Sequence, residues 1–153
     1  MRCASRTTPL GAFTLAEAGG AIVRVWLPGE TPRQGRDAAT PLLEQAFREL
    51  EEFLAGIRRR FTIPLAPSGT PFQRAVWRAI DAIPYAQTAT YTELASRIDR
   101  PTAVRAVAAA CGRNPVAVFI PCHRVVAAGG LGGFRGGLAL KKALLSLESS
   151  QDR

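Results

Sequence analysis

Between Gly11 and Leu27 two short stretches, "AFTLAE" and "AIVRVWL", alternate apolar and polar positions on either side of Gly19-Gly20. That pattern predicts a β-hairpin, because strand side chains alternate faces and a glycine pair accepts the backbone angles of a tight turn. "LPGETPRQGRD", which follows, has no periodicity and reads as a loop. Pro41 then opens "PLLEQAFRELEEFLAG", in which Leu43, Ala46, Phe47, Leu50, Phe53 and Leu54 recur at helical spacing before Gly56 closes the run. One helix packed on a small antiparallel sheet is expected, with "RRFTIPL" as a third candidate strand.

"APSGTP" is a proline and glycine cluster and marks a boundary near Ser68, giving domains 1–68 and 69–153. Beyond it the pattern turns helical. "PFQRAVWRAIDAI" places Phe72, Ala75, Val76, Ala79 and Ile80 on one face. Thr90 and Glu93 have the spacing of a capping box, so a helix starts at Tyr91 or Thr92. After the turn "DRP", Pro101 suits the first turn of another helix, "TAVRAVAAACG", which ends near Gly112. A short helix, a tight turn and a second helix form a helix-turn-helix. The second helix is rich in alanine, with Arg105 its single long charged side chain before Arg113. Such a slim helix suits either a nucleic-acid groove or close packing against its neighbours.

Composition narrows the class. The 153 residues suit one moderate domain or two small ones, and 47% apolar residues suffice for a packed core. The net charge of +8 favours polyanionic partners, although arginine bias alone does not establish them. No run is apolar enough to span a bilayer and "MRCASRTTPLGAF" lacks a secretory core, so a cytoplasmic location and no membrane partner are expected. Cys3, Cys111 and Cys122 fit no disulfide scaffold and no CxxC pair, and there is one histidine. Neither a metal nor a cofactor is expected, and Cys3 is assigned to a mobile terminus.

That histidine sits in "FIPCHRVV" directly after Cys122. A thiol reacts as its thiolate, which needs a base or a positive dipole close by. In a strand Cys122 and His123 would point oppositely, so they need a turn, or a water, to share a proton. Pro121 favours such a shaped approach. Asn114 in "GRNP" can hold a turn through backbone hydrogen bonds, and "AAGGLGGFRGGL" lets backbone approach a ligand closely. A buried, inert cysteine is the alternative. Cys111 is assigned to packing.

"PCHRV", preceded by "RAVAAACGRNP" and "GTPFQRAVW", resembles the O6-alkylguanine-DNA alkyltransferases, also called methylated-DNA-protein-cysteine methyltransferases. The resemblance runs from Gly69 to Glu148, with a similar layout before it. It implies an α+β protein: a small ribonuclease H-like α/β domain, then a mainly helical winged helix-turn-helix domain. It also implies irreversible transfer of an alkyl group from O6-alkylguanine, flipped out of double-stranded DNA, to Cys122. Each molecule would then act once, as a monomer, with cooperative assembly on DNA left open.

By that resemblance His123 takes the thiol proton through a water, Glu148 orients and polarises the histidine, and Asn114 braces the turn. The second helix enters the minor groove, where Arg105 fills the space of the flipped nucleotide and Ala106 and Arg113 contact DNA. Tyr91 turns the phosphate and touches the base. Val125, Phe134, Arg135, Gly136 and Lys141 complete the substrate contacts, with Gly137 shaping the wall. Phe134 stands where the family commonly has tyrosine, and the loop before it is one residue shorter than in some members. Two other classes remain open on the residues alone: a DNA-binding module without transfer, which Cys122 argues against, and a cysteine hydrolase, whose histidine is usually remote in sequence.

Overall fold

The computed structural model describes residues 1–32 and 36–151; Arg33, Gln34 and Gly35 of the expected loop, and Asp152 and Arg153, lie outside the described residues. The chain forms two compact units, Met1–Pro67 and Ser68–Arg153.

In the first unit β1 (Arg2–Thr8), β2 (Gly11–Ala18) and β3 (Ala21–Trp26) are antiparallel. The short β4 (Arg36–Asp37) lies parallel beside β1, giving the order β3-β2-β1-β4. The expected hairpin is present, and Gly19 and Gly20 both have positive φ, as a two-residue turn between twisted strands requires. Helix α1 (Pro41–Leu54) starts at Thr40, whose hydroxyl accepts from the Leu43 N–H at 3.1 Å and donates to Glu17 of β2 at 2.8 Å. The helix packs on the sheet, burying Leu43, Ala46, Phe47, Leu50 and Phe53 in a core shared with Phe13, Leu15 and Val25. Each such side chain contributes about 1.5–3 kcal/mol on burial.

Two expectations for this unit change. Cys3 is not in a mobile terminus: it lies buried in β1, packed with Ala16 and Trp26. The strand escaped notice because "RCASRTT" buries only Cys3 and Thr8, too few positions to show a period. The expected antiparallel sheet is present, and the two-residue β4 adds a parallel edge to it. "RRFTIPL" forms no strand and meets the sheet at one bridge, Leu65 to Ile22. Pro64 has no N–H to give a ladder, and only its carbonyl is used, accepting from Ile22 at 2.9 Å.

The second unit packs α2 (Pro71–Asp81), α3 (Tyr91–Arg97) and α4 (Val104–Gly112) against one another. A capping box starts α2 through Thr70 and Gln73, and another starts α3 through Thr90 and Glu93, as the spacing predicts. The face of α2 rotates relative to expectation, since Trp77 is buried with Val76 and Ile80. The Trp77 indole N–H reaches the Ala110 carbonyl of α4 at 2.9 Å. A Cβ on Gly69 would stand 2.4 Å from the Trp77 ring, so only glycine lets the chain pass there.

Helix α4 begins at Val104, later than Pro101 suggests. Pro101 sits instead in a turn closed by the Ala103 N–H on the Arg100 carbonyl. Val107, Ala110 and Cys111 face inward, while Arg105, Ala106, Ala109, Gly112 and Arg113 form an exposed stripe at helical spacing. The unit ends in α5 (Leu138–Gln151), which buries Leu140, Lys141, Leu144 and Glu148. Among the described residues no helix is long and apolar enough to cross a membrane.

Candidate active site

Between α4 and α5 the chain forms a locked turn. The Asn114 side-chain amide donates to the Ile120 carbonyl at 2.8 Å and accepts from the Val116 N–H at 3.0 Å, tying both ends of "NPVAVFI". The Cys122 N–H closes on the Ile120 carbonyl, and Cys122–Arg124 make one turn of 3₁₀ helix. Val125 and Val126 (β6) then pair in parallel with Ala89 and Thr90 (β5), directly before Tyr91. The start of the helix-turn-helix and the cysteine turn are therefore held together by backbone hydrogen bonds.

In the 3₁₀ turn Cys122 and His123 are not held in the opposed orientation of a strand. His123 is fully buried and its Nε2 lies 2.7 Å from Glu148 Oε2. Burial alone would raise the Glu148 pKa, but hydrogen bonds from His123 and Arg124 and the Arg124 charge outweigh it and hold it at about 2. Glu148 is thus ionised and acts as an acceptor, so Nε2 carries the ring proton and Nδ1 is left as the basic nitrogen. The His123 pKa is lowered, chiefly by burial against the opposing pull of Glu148, and the ring is neutral at pH 7.

Arg124 supplies most of the clamp on Glu148. Its Nε lies 2.9 and 3.1 Å from the two carboxylate oxygens, one terminal nitrogen is 3.0 Å from Oε2, and the other donates to the Ile83 carbonyl at 2.8 Å. The Ala86 N–H adds a bond to Oε1 at 3.0 Å.

Cys122 is buried in the wall of a cavity of about 150 Å³, lined also by Tyr91, Ala108, Cys111, Asn114, Phe134 and Arg135. A cavity of roughly this volume has room for one aromatic ring. The Cys122 thiol is pulled below its ordinary pKa, first by hydrogen bonding with the Cys111 thiol; burial opposes this, and Asn114 and the charges of Arg135 and Lys141 assist it. The site therefore holds a thiol biased toward its anion beside a neutral histidine and a ring-sized space.

Most of the expected residues fall into three places. Cys122, Tyr91, Asn114, Phe134 and Arg135 line the cavity. His123 and Glu148 form a buried pair behind the thiol turn. Arg105, Ala106 and Arg113 lie on the exposed stripe of α4. Val125, Gly136 and Lys141 are not in the cavity wall. Lys141 is fully buried and its ammonium donates to the carbonyls of Val125 and Gly133 at 2.6 and 3.0 Å, bracing the cysteine turn against the glycine-rich loop. Gly132 in that loop has φ +71°, and a Cβ there would lie 2.8 Å from the Tyr91 hydroxyl.

Two residues were missed. Arg124 carries a local signal, since an arginine inside an apolar run such as "FIPCHRVV" must be buried with a partner. Cys111 is buried on the inward face of α4, as packing requires, and also lines the cavity with Cys122. Helical spacing from Val107 puts it on the buried face, but nothing in the sequence brings it to the second thiol.

A thiol biased toward its anion, set in a cavity walled by both helices of a helix-turn-helix, points to cysteine chemistry on a DNA-binding scaffold. Residues 71–150 match the DNA-binding domain of 6-O-methylguanine DNA methyltransferase, and residues 1–67 match its ribonuclease-like domain. The chain belongs to the 6-O-methylguanine DNA methyltransferase family. It is 39% identical over 150 residues to the constitutive methylated-DNA–protein-cysteine methyltransferase of Bacillus subtilis, covering 92% of this chain and 91% of that one. Its fold superposes on that of Mycobacterium tuberculosis OGT in complex with DNA with a TM-score of 0.92 and 38% identity, covering 99% and 94% of the two chains. The O6-methylguanine methyltransferase of the same organism gives a TM-score of 0.91 at 36% identity, over 98% and 93%.

Proposed function

We propose that this protein repairs DNA by taking the alkyl group of O6-alkylguanine onto Cys122, once per molecule. The observation that carries the reading is the buried 2.7 Å contact between His123 Nε2 and the ionised Glu148, which supports reading the histidine as the base for the neighbouring thiol of lowered pKa. The thiol proton passes through a water to His123, and the sulfur attacks the alkyl carbon. A sulfur–carbon bond forms as the carbon–O6 bond breaks, its electron pair returns to the purine, and the restored guanine takes up a proton. The thioether has no leaving group for water to displace, so the acceptor is spent.

Guanine stacked in a duplex cannot reach a cavity of this kind, so the base must be flipped out. The exposed stripe of α4 suits the minor groove because its alanines and glycine let the backbone approach closely, with Arg105 able to occupy the vacated stack and Arg113 to meet a phosphate. Tyr91, at the first turn of α3, lies where it can meet both the phosphate and the base. Phe134 can stack on the purine but offers no hydroxyl. In this reading residues 69–153 carry both DNA binding and transfer, the protein acts on DNA as a monomer, and a reduced acceptor thiol puts its work in the cytoplasm.

A duplex carrying labelled O6-methylguanine tests the proposal. Label is expected on the Cys122 peptide at one equivalent per molecule, and Cys122→Ala should bind the duplex without taking label. Multiple turnover, or binding by the intact protein with no transfer, would overturn it.

A further inference from the structure

Cys111 takes no covalent part in the reaction as described, yet it occupies the same cavity as the acceptor. It sits in the last turn of α4 on that helix's inward face, is 7% exposed, and lines the space next to Cys122, itself 5% exposed. Once Cys122 has given up its proton, a buried sulfur anion needs donors. The Asn114 amide spends one N–H on the Ile120 carbonyl and bonds Cys122 as well, Lys141 donates to two carbonyls, and Arg135 directs one terminal nitrogen to the Asn114 carbonyl, so a further donor beside the sulfur has a use.

We propose that Cys111 is a positioning residue for this reaction: its S–H faces Cys122 and donates to the acceptor sulfur as that sulfur becomes an anion. The inference rests on the transfer reading of Cys122. A thiol suits the place because it is a weak, soft donor that holds little water in a cavity which must also admit an alkyl group. It also avoids becoming a rival nucleophile. Hydrogen bonding with Cys122, burial and the negative charge of the neighbouring thiolate all push the Cys111 pKa up, against the weaker pull of Lys141, so it keeps its proton while Cys122 loses one.

The test uses two readouts on the full chain. Iodoacetamide alkylation of Cys122, followed by mass spectrometry across a pH series, reports the thiol titration without DNA. The single-turnover rate on an O6-methylguanine duplex across the same series reports the reaction. With Cys111→Ala, the midpoint of alkylation should rise by about one pH unit and transfer at neutral pH should fall about tenfold, recovering at high pH. Cys111→Ser, which keeps a donor, should remain within about twofold of the parent. If the alanine variant does not fold, Cys111→Val fills the site without a donor and takes its place.

An unchanged alkylation midpoint in both donorless and donor-bearing variants, or an equal loss of transfer at every pH, would overturn the assignment and leave Cys111 a packing residue. If the unsubstituted protein takes no label from DNA, the repair reading fails on that result alone. The alkylation series still decides the role of Cys111 as a donor to Cys122.

Discussion

Glu148→Gln removes one charge from the centre of the site and leaves the volume unchanged, which makes its cost calculable. In the folded protein the Glu148 pKa drops from its ordinary value of 4.5 to about 2, because the hydrogen bonds of His123 and Arg124 and the Arg124 charge outweigh burial. A drop of that size corresponds to about 3 kcal/mol of folding stability. The folded pKa is the depressed one, so this contribution is fully present above pH 4.5 and is lost as pH falls toward 2. At neutral pH the variant also leaves the Arg124 guanidinium buried without its counter-charge, and removing one partner of a buried ion pair costs about 3–5 kcal/mol. The two routes agree in size.

Urea unfolding of both proteins at several pH values checks the reasoning. Other carboxylates will destabilise both proteins in acid, so the informative quantity is the gap between them: about 3 kcal/mol or more at pH 7, narrowing steadily below pH 4.5. A gap under about 1 kcal/mol at pH 7, or one that stays constant down to pH 2, would refute the picture of an ionised Glu148 clamped by Arg124. The variant should also lose transfer activity near neutrality. A glutamine oxygen still accepts from Nε2, but without its charge it no longer supports the imidazolium that forms when His123 takes the thiol proton.

Gly69→Ala puts a Cβ 2.4 Å from the Trp77 ring and should lower stability by about 1–3 kcal/mol, measured by thermal or urea unfolding. Gly132→Ala meets the Tyr91 hydroxyl and a φ of +71°, and should slow transfer at least severalfold while the overall fold, read by circular dichroism, is retained. Arg113→Ala should weaken DNA binding to a similar degree for every sequence tested and reduce the slope of log K against log salt by about 1, as removal of one phosphate contact does.

Periodic stretches carried the fold plainly. The hairpin around Gly19-Gly20 and helix α1 were legible because each buries one face continuously, and α3 was legible because its capping box is a local chemical signature. β1 and β4 were not, since a strand that buries two positions and one of two residues show no period at all. At the site, Cys122 and His123 announced themselves by their rarity and context. Glu148 by itself reads as an exposed helix charge; its spacing from Lys141 and Leu144 places it on the inward side of α5, but its partners come from 24 and 25 residues earlier in the chain. Cys111 shows the limit most clearly. Its burial follows from helix geometry, whereas its meeting with a second thiol depends on how the turn after α4 folds back.

The two tryptophans of the chain fall one to each unit: Trp26 on β3 and Trp77 on α2. With Trp26→Phe, the remaining fluorescence comes from a single indole whose N–H is tied to the Ala110 carbonyl of α4. Its emission wavelength is then an intrinsic gauge of how that helix is seated. Stopped-flow traces of such a protein meeting a duplex would time the seating of α4 against the later, chemically detected arrival of the alkyl group, with no dye attached to either partner.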